Sequence, residues 1–308
     1  MDVIDAQTVA RLTPMQDLMD AIGEQLQSKC VSPARQAYAL TNDASLLIMP
    51  AWETDSHIGV KLTHVDTERR PAVMATYLLM DAVSGRPVAM LDGAVLTARR
   101  TAAASGLAAD ILAHQDSKSL LIIGTGTLCP LVAEAYAAIR DLKQITIWGR
   151  SPDKVDQAVE AVRPFFPHVR RADDLKAAAA AADIISCVTS ASEAFLSADM
   201  IRPGTHLDLI GAFRPDMAEA DPPVFKAATV FVDTLDGALS EAGDLMQAIE
   251  AGALTEEDIV TDLAGLRSGY VRRDEEITLF KSVGMALEDL AAATLVYSRF
   301  VKERADAS

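Results

Sequence analysis

Hydrophobic and polar positions follow two different periods in the N-terminal part of the chain. Apolar residues at helical spacing predict an amphipathic helix over residues 14–27. Alternating apolar and polar residues predict antiparallel strands over residues 36–40, 44–49, 57–63, 75–81 and 87–92. A hairpin turn at Ser84 and Gly85 would join the last two of these strands. With a short strand at residues 3–4 and a helix over about 97–112, these elements predict an α+β unit.

The pattern changes after residue 119, where apolar segments alternate with helical ones. Strands are predicted at residues 120–123, 144–148, 184–188, 206–210 and 229–232. Helices lie between most of them, and the alanine-rich segment 173–182 is one of these helices. Regular alternation of strand and helix predicts an α/β fold with a parallel sheet. A last amphipathic helix is predicted over residues 282–303, where it would pack on the first unit.

A strand, a glycine turn and a helix follow one another over residues 119–138. The apolar run before the turn is typical of a buried parallel strand, and Pro130 suits the first turn of the helix behind it. This order leaves free backbone N–H groups above the strand, where the pyrophosphate of a dinucleotide sits. The predicted cofactor-binding residues of this segment are Gly124, Thr125, Gly126, Thr127 and Leu128.

Two features of this segment keep another interpretation open. Cys129 stands where the usual fingerprint has its third glycine, although a small residue still lets helix and strand approach each other. A Gly-x-Gly pair is also typical of a tight turn that needs positive φ. The strand, turn and helix in sequence favour the nucleotide site.

The end of the second strand of this α/β unit indicates which nicotinamide cofactor is bound. A carboxylate there would hydrogen-bond the ribose 2′-hydroxyl of NAD, whereas arginine accommodates the 2′-phosphate of NADP. The chain has Gly149, Arg150 and Ser151 at this point, with Lys154 one turn later, and no carboxylate at the strand end. These groups favour NADP(H), with NAD(H) as the alternative. A polar turn in which Ser151 caps the next helix is the other interpretation.

Composition and charge narrow the class of protein. The 308 residues include 44 acidic and 28 basic ones, and the formal charge of −16 opposes binding to nucleic acid and to anionic membranes. The sequence shows no basic, apolar leader and no apolar run of membrane-spanning length, so a cytoplasmic location is expected. Three cysteines, interpreted as buried thiols, and five scattered histidines fit neither a disulfide framework nor a metal site.

Several motifs resemble the ornithine cyclodeaminase/mu-crystallin family and occur in that family's order. They are residues 96–105 (LTARRTAAAS), the glycine turn at 124–126, residues 241–245 (EAGDL), residues 277–284 (ITLFKSVG) and residues 288–290 (EDL). The similarity is collinear over nearly the whole chain, and several motifs in the correct order are more specific than any one of them.

The resemblance implies a Rossmann dinucleotide-binding domain inserted in an α+β substrate-binding and dimerisation domain. The inserted domain would span residues 116–285, and the other would comprise residues 1–115 and a helix over 286–308. Family members are typically homodimers that transfer a hydride at the α-carbon of an amino or imino acid. The implied partners are a small substrate of this class and a second copy of the chain, with no nucleic acid and no membrane.

Three substrate-binding cations are implied by the same resemblance, namely Arg35, Lys61 and Arg100. Two guanidinium groups and an ammonium in one cleft would bind an α-carboxylate. Lys61 is also the predicted catalytic residue, because burial among cations would lower its pKa and let it transfer a proton. Without the resemblance each would be interpreted as a surface cation, although Lys61 lies within an apolar strand. Arg99 is the alternative to Arg100.

Three further cofactor contacts follow from the resemblance. Thr189 would lie along the cofactor, and Asp233 and Ser282 would lie near its nicotinamide end. Each position also has a purely structural interpretation. Thr189 would end a strand, Asp233 would cap the helix after it, and Ser282 would cap the C-terminal helix.

Phe213 is a departure from part of the family. Ornithine cyclodeaminases and related dehydrogenases carry an aspartate there that serves deamination, whereas the mu-crystallin branch, which reduces cyclic ketimines, also lacks it. The resemblance therefore implies an NAD(P)H-dependent reductase that converts Δ1-pyrroline-2-carboxylate to L-proline and Δ1-piperideine-2-carboxylate to L-pipecolate. The alternatives are an ornithine cyclodeaminase or amino-acid dehydrogenase, and a crystallin-like protein that binds NADPH and a small ligand without turnover.

Overall fold

The chain divides into two compact units. The computed structural model describes residues 1–42, 44–66 and 73–307. Unit 1 consists of residues 1–103 and the segment that begins at Met285, and unit 2 consists of residues 104–284. Unit 2 is therefore inserted in the sequence of unit 1.

Fifteen strands and eleven α-helices are assigned in the described residues. The elements up to the unit boundary are β1 (Asp2–Ile4), α1 (Ala6–Leu12), α2 (Met15–Gln25), β2 (Cys30–Val31), β3 (Gln36–Ala39), β4 (Ala44–Glu53), β5 (His57–Asp66), β6 (Val73–Asp81), β7 (Pro87–Asp92) and α3 (Gly93–Leu112), which contains the boundary. Unit 2 continues with β8 (Ser119–Ile123), α4 (Leu128–Ile139), β9 (Gln144–Trp148), α5 (Pro152–Val162), β10 (Val169–Arg171), α6 (Leu175–Ala181), β11 (Ile184–Cys187), β12 (His206–Leu209), α7 (Pro222–Ala227), β13 (Thr229–Val232), α8 (Leu235–Glu241), α9 (Gly243–Glu250), β14 (Ile259–Asp262), α10 (Leu263–Leu266) and β15 (Thr278–Lys281). The last element is α11 (Ala286–Asp306), which belongs to unit 1. No helix in the described residues has the length and apolar character needed to cross a membrane.

The sheet of unit 1 has one buried and one open face. Its strand order is β1-β7-β6-β5-β4-β2, with β3 also paired to β4, and every pair except β1 with β7 is antiparallel. Met49, Lys61, Tyr77 and Leu91 form one row across four strands, and all four are buried. Helix α11 packs on β4, β5 and β6 and covers this face.

The opposite face of this sheet is rich in apolar side chains. Tyr38, Leu46, His64 and Met74 are register neighbours across β3 to β6, and Leu62 lies in the adjacent row. Tyr38, Leu62 and Met74 are each at least 44% exposed. A large apolar surface of this kind on a sheet is typical of an interface.

Unit 2 is built on an entirely parallel sheet of eight strands in the order β10-β9-β8-β11-β12-β15-β13-β14. Strand order reverses beside β8, as in doubly wound dinucleotide-binding folds. The strands are buried on both faces and read as apolar runs, which include Leu121, Ile123, Ile185 and Leu207. The expected fold class, a Rossmann unit inserted in an α+β unit, is confirmed.

The long strands and helices predicted from the sequence are present with small shifts of their ends. The predicted strands at 87–92, 144–148 and 229–232 match β7, β9 and β13. The hairpin turn is also confirmed, because Gly85 has a φ of +69° between β6 and β7. Asp174 caps α6 by accepting from the N–H of Ala177 at 3.0 Å, so that helix begins later than expected.

Other elements were not predicted by the sequence pattern. They include α1, β2, β10, β14 and β15, each of them seven residues or shorter, as well as α9 and α10. The C-terminal helix also begins at residue 286 and not at 282, because Gly284 has a φ of +81° and Asp233 Oδ2 accepts the backbone N–H groups of Val283 and Gly284. Ser282 therefore does not cap this helix, whose N-cap position is Met285.

Candidate functional site

Lys61 lies in the middle of β5, on the buried face of the unit 1 sheet. Only 2% of this residue is exposed, and its neighbours in the sheet, Met49 and Tyr77, are buried with it. A buried ammonium requires a counter-charge, because an unpaired charge is costly to desolvate. Its Nζ donates to Oδ2 of Asp289, in the first turn of α11, at 2.6 Å. The lysine of this apolar strand is thus held by a carboxylate.

Arg100, which lies on α3, binds the same carboxylate of Asp289. Its Nε donates to Oδ1 of Asp289 at 2.9 Å, and its Nη1 donates to Oε2 of Glu288 at 2.6 Å. All three side chains are buried. Arg99, the alternative to Arg100, donates to the carbonyl and the hydroxyl of Thr13. Arg100 is therefore the arginine of this pair that shares a carboxylate with Lys61.

Arg35 completes the set of predicted cations. It is half-buried in the segment between β2 and β3, and its charge lowers the pKa of Lys61. The structure thus groups the three cations predicted from the sequence within unit 1. We call Arg35, Lys61 and Arg100, with the carboxylates of Glu288 and Asp289, the cation cluster. Its role in substrate binding stays a prediction.

The electrostatics of the cation cluster set the protonation of Lys61. Burial lowers its pKa to about 8, and the charges of Arg100 and Arg35 act in the same direction. The charge and the hydrogen bond of Asp289 oppose this effect. Burial also raises the pKa of Asp289, but the cations outweigh burial and hold that pKa below its usual value. At neutral pH, therefore, Lys61 carries a proton and has a pKa suited to general acid catalysis.

The sequence pattern predicts no role for Glu288 and Asp289. Both lie in the first turn of α11, on the side that the sheet of unit 1 buries. The available signal was a pair of acids inside an otherwise apolar helical face, within the EDL motif. Spacing along the chain could not identify their partners, because Lys61 lies 228 residues away from Asp289.

In unit 2 the glycine turn has the geometry of a phosphate-binding loop. Gly124 has a φ of +130°, and a Cβ there would lie 2.7 Å from the carbonyl oxygen of Val188. A Cβ on Gly126 would meet nothing within 4 Å, so open space lies beside this glycine. Thr127 is the N-cap residue of α4, whose first N–H groups have no partner within the helix. The loop and the helix N-terminus together suit a pyrophosphate.

The residues predicted to select the cofactor follow β9 directly. Arg150 and Lys154 are exposed, and among the described residues neither forms an ion pair. Ser151 is the N-cap residue of α5, but its side chain makes no capping hydrogen bond. A Cβ on Gly149 would lie 2.8 Å from Cγ2 of Thr125, so this glycine lets the two loops approach. These exposed cations and the free hydroxyl remain available to a phosphate.

The other predicted cofactor residues also follow parallel strands, at the same edge of the unit 2 sheet. Thr189 comes after β11, Asp233 after β13 and Ser282 after β15. This edge is where doubly wound sheets bind dinucleotides. Asp233 is buried and its carboxylate accepts backbone N–H groups, including that of Thr234, at 2.8 Å. Their contacts with a cofactor stay a prediction.

Buried ionisable groups lie under this edge, and no sequence pattern predicts a role for them. Glu219 Oε1 accepts from the backbone N–H and the hydroxyl of Thr189, at 2.7 and 2.8 Å, while Oε2 is buried without a partner among the described residues. Lys281 Nζ lies 3.3 Å from Asp244 Oδ1 and donates to the carbonyl of Gly211. Burial raises the pKa of Glu219 to about 7.

The segment after β12 presents Phe213 to solvent. Ala212 has a φ of +52°, which is unusual for a residue with a Cβ, and its carbonyl accepts the N–H of Gly243 at 2.9 Å. Phe213, the next residue, is 42% exposed. A strained backbone conformation that is stabilised by a hydrogen bond from another segment often marks a functional site.

The described residues contain three free cysteines. No cluster of three or more potential ligands is found there. Cys129 and Cys187 are buried as expected, but the expectation of burial is wrong for Cys30, which is half-buried. Cys30 lies in the two-residue strand β2 at the edge of the sheet, where β2 pairs with one neighbouring strand, β4.

Residues 1–304 match the sequence profile of the ornithine cyclodeaminase/mu-crystallin family. The chain is 31% identical to the Δ1-pyrroline-2-carboxylate reductase of Colwellia psychrerythraea, over 97% of this chain and 99% of that one. It is 35% identical to the ketimine reductase mu-crystallin of Mus musculus, over 74% and 70% of the respective chains. A solved structure of Thermococcus litoralis Δ1-pyrroline-2-carboxylate reductase with NADH and L-proline aligns with a TM-score of 0.94 at 28% identity and covers 98% of each chain.

Proposed function

The chain belongs to the ornithine cyclodeaminase/mu-crystallin family, and on this premise we propose that it is an NAD(P)H-dependent reductase of cyclic imino acids. Its substrates are Δ1-pyrroline-2-carboxylate, which gives L-proline, and Δ1-piperideine-2-carboxylate, which gives L-pipecolate. The observation that carries the proposal is the cation cluster, in which a fully buried lysine with a pKa of about 8 is grouped with two arginines. Proteins named Δ1-pyrroline-2-carboxylate reductase and ketimine reductase mu-crystallin are similar to the chain over 97% and 74% of its length.

The cations of the cation cluster suit a substrate that carries a carboxylate. Lys61 and Arg100 share the carboxylate of Asp289, and Arg35 lies close enough to lower the pKa of Lys61. Grouped cations of this kind attract the α-carboxylate of an imino acid. A guanidinium can bind this carboxylate through two parallel hydrogen bonds, which fixes the orientation of the ring as well as its position.

Lys61 is the acid of the proposed reaction. The cyclic imine accepts a hydride at carbon and a proton at nitrogen, and it gives a secondary amine. Protonation makes the C=N carbon electrophilic, and an ammonium with a pKa of about 8 can donate that proton, directly or through a water that it orients, near neutral pH. The N–H bond of Lys61 breaks as the N–H bond of the product forms, and solvent returns the proton afterwards.

Unit 2 supplies the cofactor site in this proposal. The glycine turn and the N-terminus of α4 hold the pyrophosphate, and the bound nicotinamide supplies the hydride. Arg150, Ser151 and Lys154 hold the 2′-phosphate, so NADP(H) is preferred and NAD(H) is the alternative. Thr189, Asp233 and Ser282 lie along the rest of the cofactor.

Phe213 supports reduction of an imine and not deamination of a linear amino acid. A phenyl ring cannot transfer protons, whereas release of ammonia requires a group that handles water or an amine. An exposed apolar side chain instead suits a substrate ring without a distal amine. We propose that Phe213 contributes such an apolar surface.

The open face of the unit 1 sheet supports a homodimer. Tyr38, Leu62 and Met74 expose apolar surface on a sheet whose other face is already covered by α11. Removing apolar area from water contributes about 25 cal/mol per Å² to association with a second copy, and this term opposes the entropy that association costs. We propose that this face joins two copies of the chain, and that the protein works in the cytoplasm.

The proposal is tested by nicotinamide absorbance with the purified protein. Δ1-Pyrroline-2-carboxylate and Δ1-piperideine-2-carboxylate are each offered with NADPH and with NADH, and L-ornithine is offered with NAD in a parallel assay for ammonia. Consumption of reduced cofactor with formation of L-proline or L-pipecolate, and no ammonia from ornithine, is the expected result. Ammonia and proline from ornithine would show a cyclodeaminase, and cofactor binding without turnover would show a binding protein.

Two variants connect the activity to the cation cluster. Lys61→Met removes the proton donor and should lower kcat by about 10²–10⁴-fold while NADPH binding is retained. Lys143→Met, an exposed lysine of unit 2 that pairs with Asp141, is the matched control and should keep full activity. Undiminished kcat in Lys61→Met would contradict the assigned role of Lys61.

A further inference from the structure

Asp289 holds two cations with different atoms. Its Oδ2 accepts from Lys61 Nζ at 2.6 Å, and its Oδ1 accepts from Arg100 Nε at 2.9 Å. The side chain is completely buried in the first turn of α11. Burial therefore weakens the screening of both contacts by water, so the charge of Asp289 acts more strongly on both cations than it would at the surface.

Arg100 does not depend on Asp289 alone. Glu288 already accepts from Arg100 Nη1 at 2.6 Å, so the arginine keeps a carboxylate partner if Asp289 loses its charge. Lys61 has no such second carboxylate at hydrogen-bond distance among the described residues. The contact of Asp289 with Lys61 is thus the one that the rest of the cation cluster cannot replace.

Charged groups on several elements set the charge state of Lys61. Arg100 on α3 and Arg35 before β3 repel its proton, and Asp289 on α11 attracts it. Glu288, also on α11, bonds Arg100 and not Lys61. Tyr77 on β6 stays neutral, because burial and the charge of Asp289 hold its pKa well above its usual value. Without Asp289, burial and the cations would act on the ammonium unopposed.

We propose that Asp289 is a positioning residue for imine reduction, because its carboxylate keeps the ammonium of Lys61 charged and fixed in direction. The inference rests on the proposed function, in which Lys61 donates the proton. Asp289 itself touches neither the substrate nor the cofactor in this scheme. Its contribution is to extend the pH range in which the acid form of Lys61 exists.

Asp289→Asn tests the proposal through a pH profile. The amide keeps the shape of the side chain and removes its charge, so the alkaline limb of kcat for Δ1-pyrroline-2-carboxylate should move to lower pH by about one to three units. NADPH is kept saturating, and thermal melting verifies that the variant is folded. An alkaline limb that stays in place in the folded variant would overturn the proposal.

Two carboxylate-to-amide variants on the same helix serve as controls. Glu303→Gln removes an exposed partner of Arg11 and should leave the profile unchanged. Glu288→Gln removes a carboxylate that accepts a hydrogen bond from Arg100 but none from Lys61. The alkaline limb of its kcat profile should move less than the alkaline limb of Asp289→Asn. An equal movement in Glu288→Gln would show a general charge effect and overturn the specific assignment.

A third variant covers the case in which Asp289→Asn does not fold. Asp289→Glu keeps the charge and displaces it, so kcat should fall while the alkaline limb stays where it is in the wild type. Movement of that limb to lower pH would contradict the proposal.

The titration of Lys61 can also be measured without turnover. In protein labelled with ¹³C at lysine Cε, the Lys61 signal is identified by its loss in Lys61→Met. The pH midpoint of the titration of this signal should be lower in Asp289→Asn than in the wild type. If the asparagine variant does not fold, the midpoint in Asp289→Glu should stay near the wild-type value. If the wild type reduces no imine, the proposed function fails, and this titration still decides whether Asp289 controls Lys61.

Discussion

Arg99 and Arg100 are successive residues of α3, and they bind different partners. Arg99 Nε donates to the carbonyl and to the hydroxyl of Thr13, at 3.0 and 2.7 Å, where α1 ends. Arg100 donates to Glu288 and Asp289. Successive helical side chains point about 100° apart, so one arginine ties a helix end and the other joins the cation cluster.

Lysine substitutions should separate these two roles. Arg99→Lys should lower the free energy of unfolding by about 1–3 kcal/mol in urea, because buried hydrogen bonds to Thr13 are lost, and should leave the KM for imine unchanged. Arg100→Lys should raise that KM about tenfold or more, because an ammonium cannot reproduce the planar donor set. A raised KM in Arg99→Lys alone would reverse the assignment.

The two glycines of the turn should respond differently to alanine. Gly124→Ala should lower the free energy of unfolding by about 1–3 kcal/mol, since its φ is +130° and its Cβ would press on Val188. Gly126→Ala should melt like the wild type, because nothing lies within 4 Å of the new Cβ. Its KM for NADPH should nevertheless rise about tenfold or more, since the methyl group enters the space of the pyrophosphate. Normal NADPH binding by Gly126→Ala would argue against a nucleotide at this turn.

Arg150→Ala tests the choice of cofactor. Loss of one charge-assisted hydrogen bond to a 2′-phosphate should raise the KM for NADPH by roughly 10- to 100-fold, because such a bond contributes about 1.5–3 kcal/mol. The KM for NADH should stay the same, because NADH lacks that phosphate. Arg163→Ala, at the other end of α5, is the matched control and should change neither value. Equal losses with both cofactors would contradict a role in phosphate recognition.

Glu219 should make stability depend on pH in a defined direction. Its pKa is raised from 4.5 to about 7 by burial, so the folded state holds a proton that the unfolded state has lost. This group therefore lowers stability as pH rises from about 4.5 to about 7, and its effect is constant above that range. Glu219→Gln cannot ionise, so its stability relative to the wild type should be greater at pH 8 than at pH 5, by up to about 3 kcal/mol. Urea unfolding of both proteins at pH 5 and at pH 8 measures the difference in their free energies of unfolding. The same difference at both pH values would contradict the expectation.

A charge on the open sheet face should separate the two copies of the proposed dimer. Leu62→Glu places a carboxylate in the middle of this face, where its burial against a second copy would be costly. Light scattering during size-exclusion chromatography should then report a monomer where the wild type is a dimer. Val271→Glu, at a position of unit 2 that is 90% exposed, is the control and should leave the wild-type mass unchanged.

Much of the fold can be predicted because its long elements carry local signals. The hairpin at Gly85 and the strand before Gly124 each combine an apolar pattern with a residue that accepts positive φ. Strand β15 has no such signal, because its four residues include Lys281 and follow Glu276. The extended conformation of β15 results from its pairing with β12 and β13. The sequence of β15 alone does not indicate these partners.

The candidate site could be predicted only in part, for a related reason. Lys61 is conspicuous because a charged residue stands in an apolar strand, and its burial confirms that this signal was informative. The carboxylate of Asp289 could not be matched to Lys61, because a contact between residues so distant in sequence is created by the fold alone. Glu219 cannot be recognised from the sequence for the same reason, since its partner Thr189 follows a different strand.

Unit 1 is interrupted in the sequence, and this has a consequence for synthesis on the ribosome. The sheet that carries Lys61 is made first, whereas the helix that carries Asp289 is made only after all of unit 2. At about 5–20 residues per second, translation of unit 2 separates these events by roughly 10–40 s. During that interval one face of the nascent sheet lacks its covering helix and exposes apolar surface.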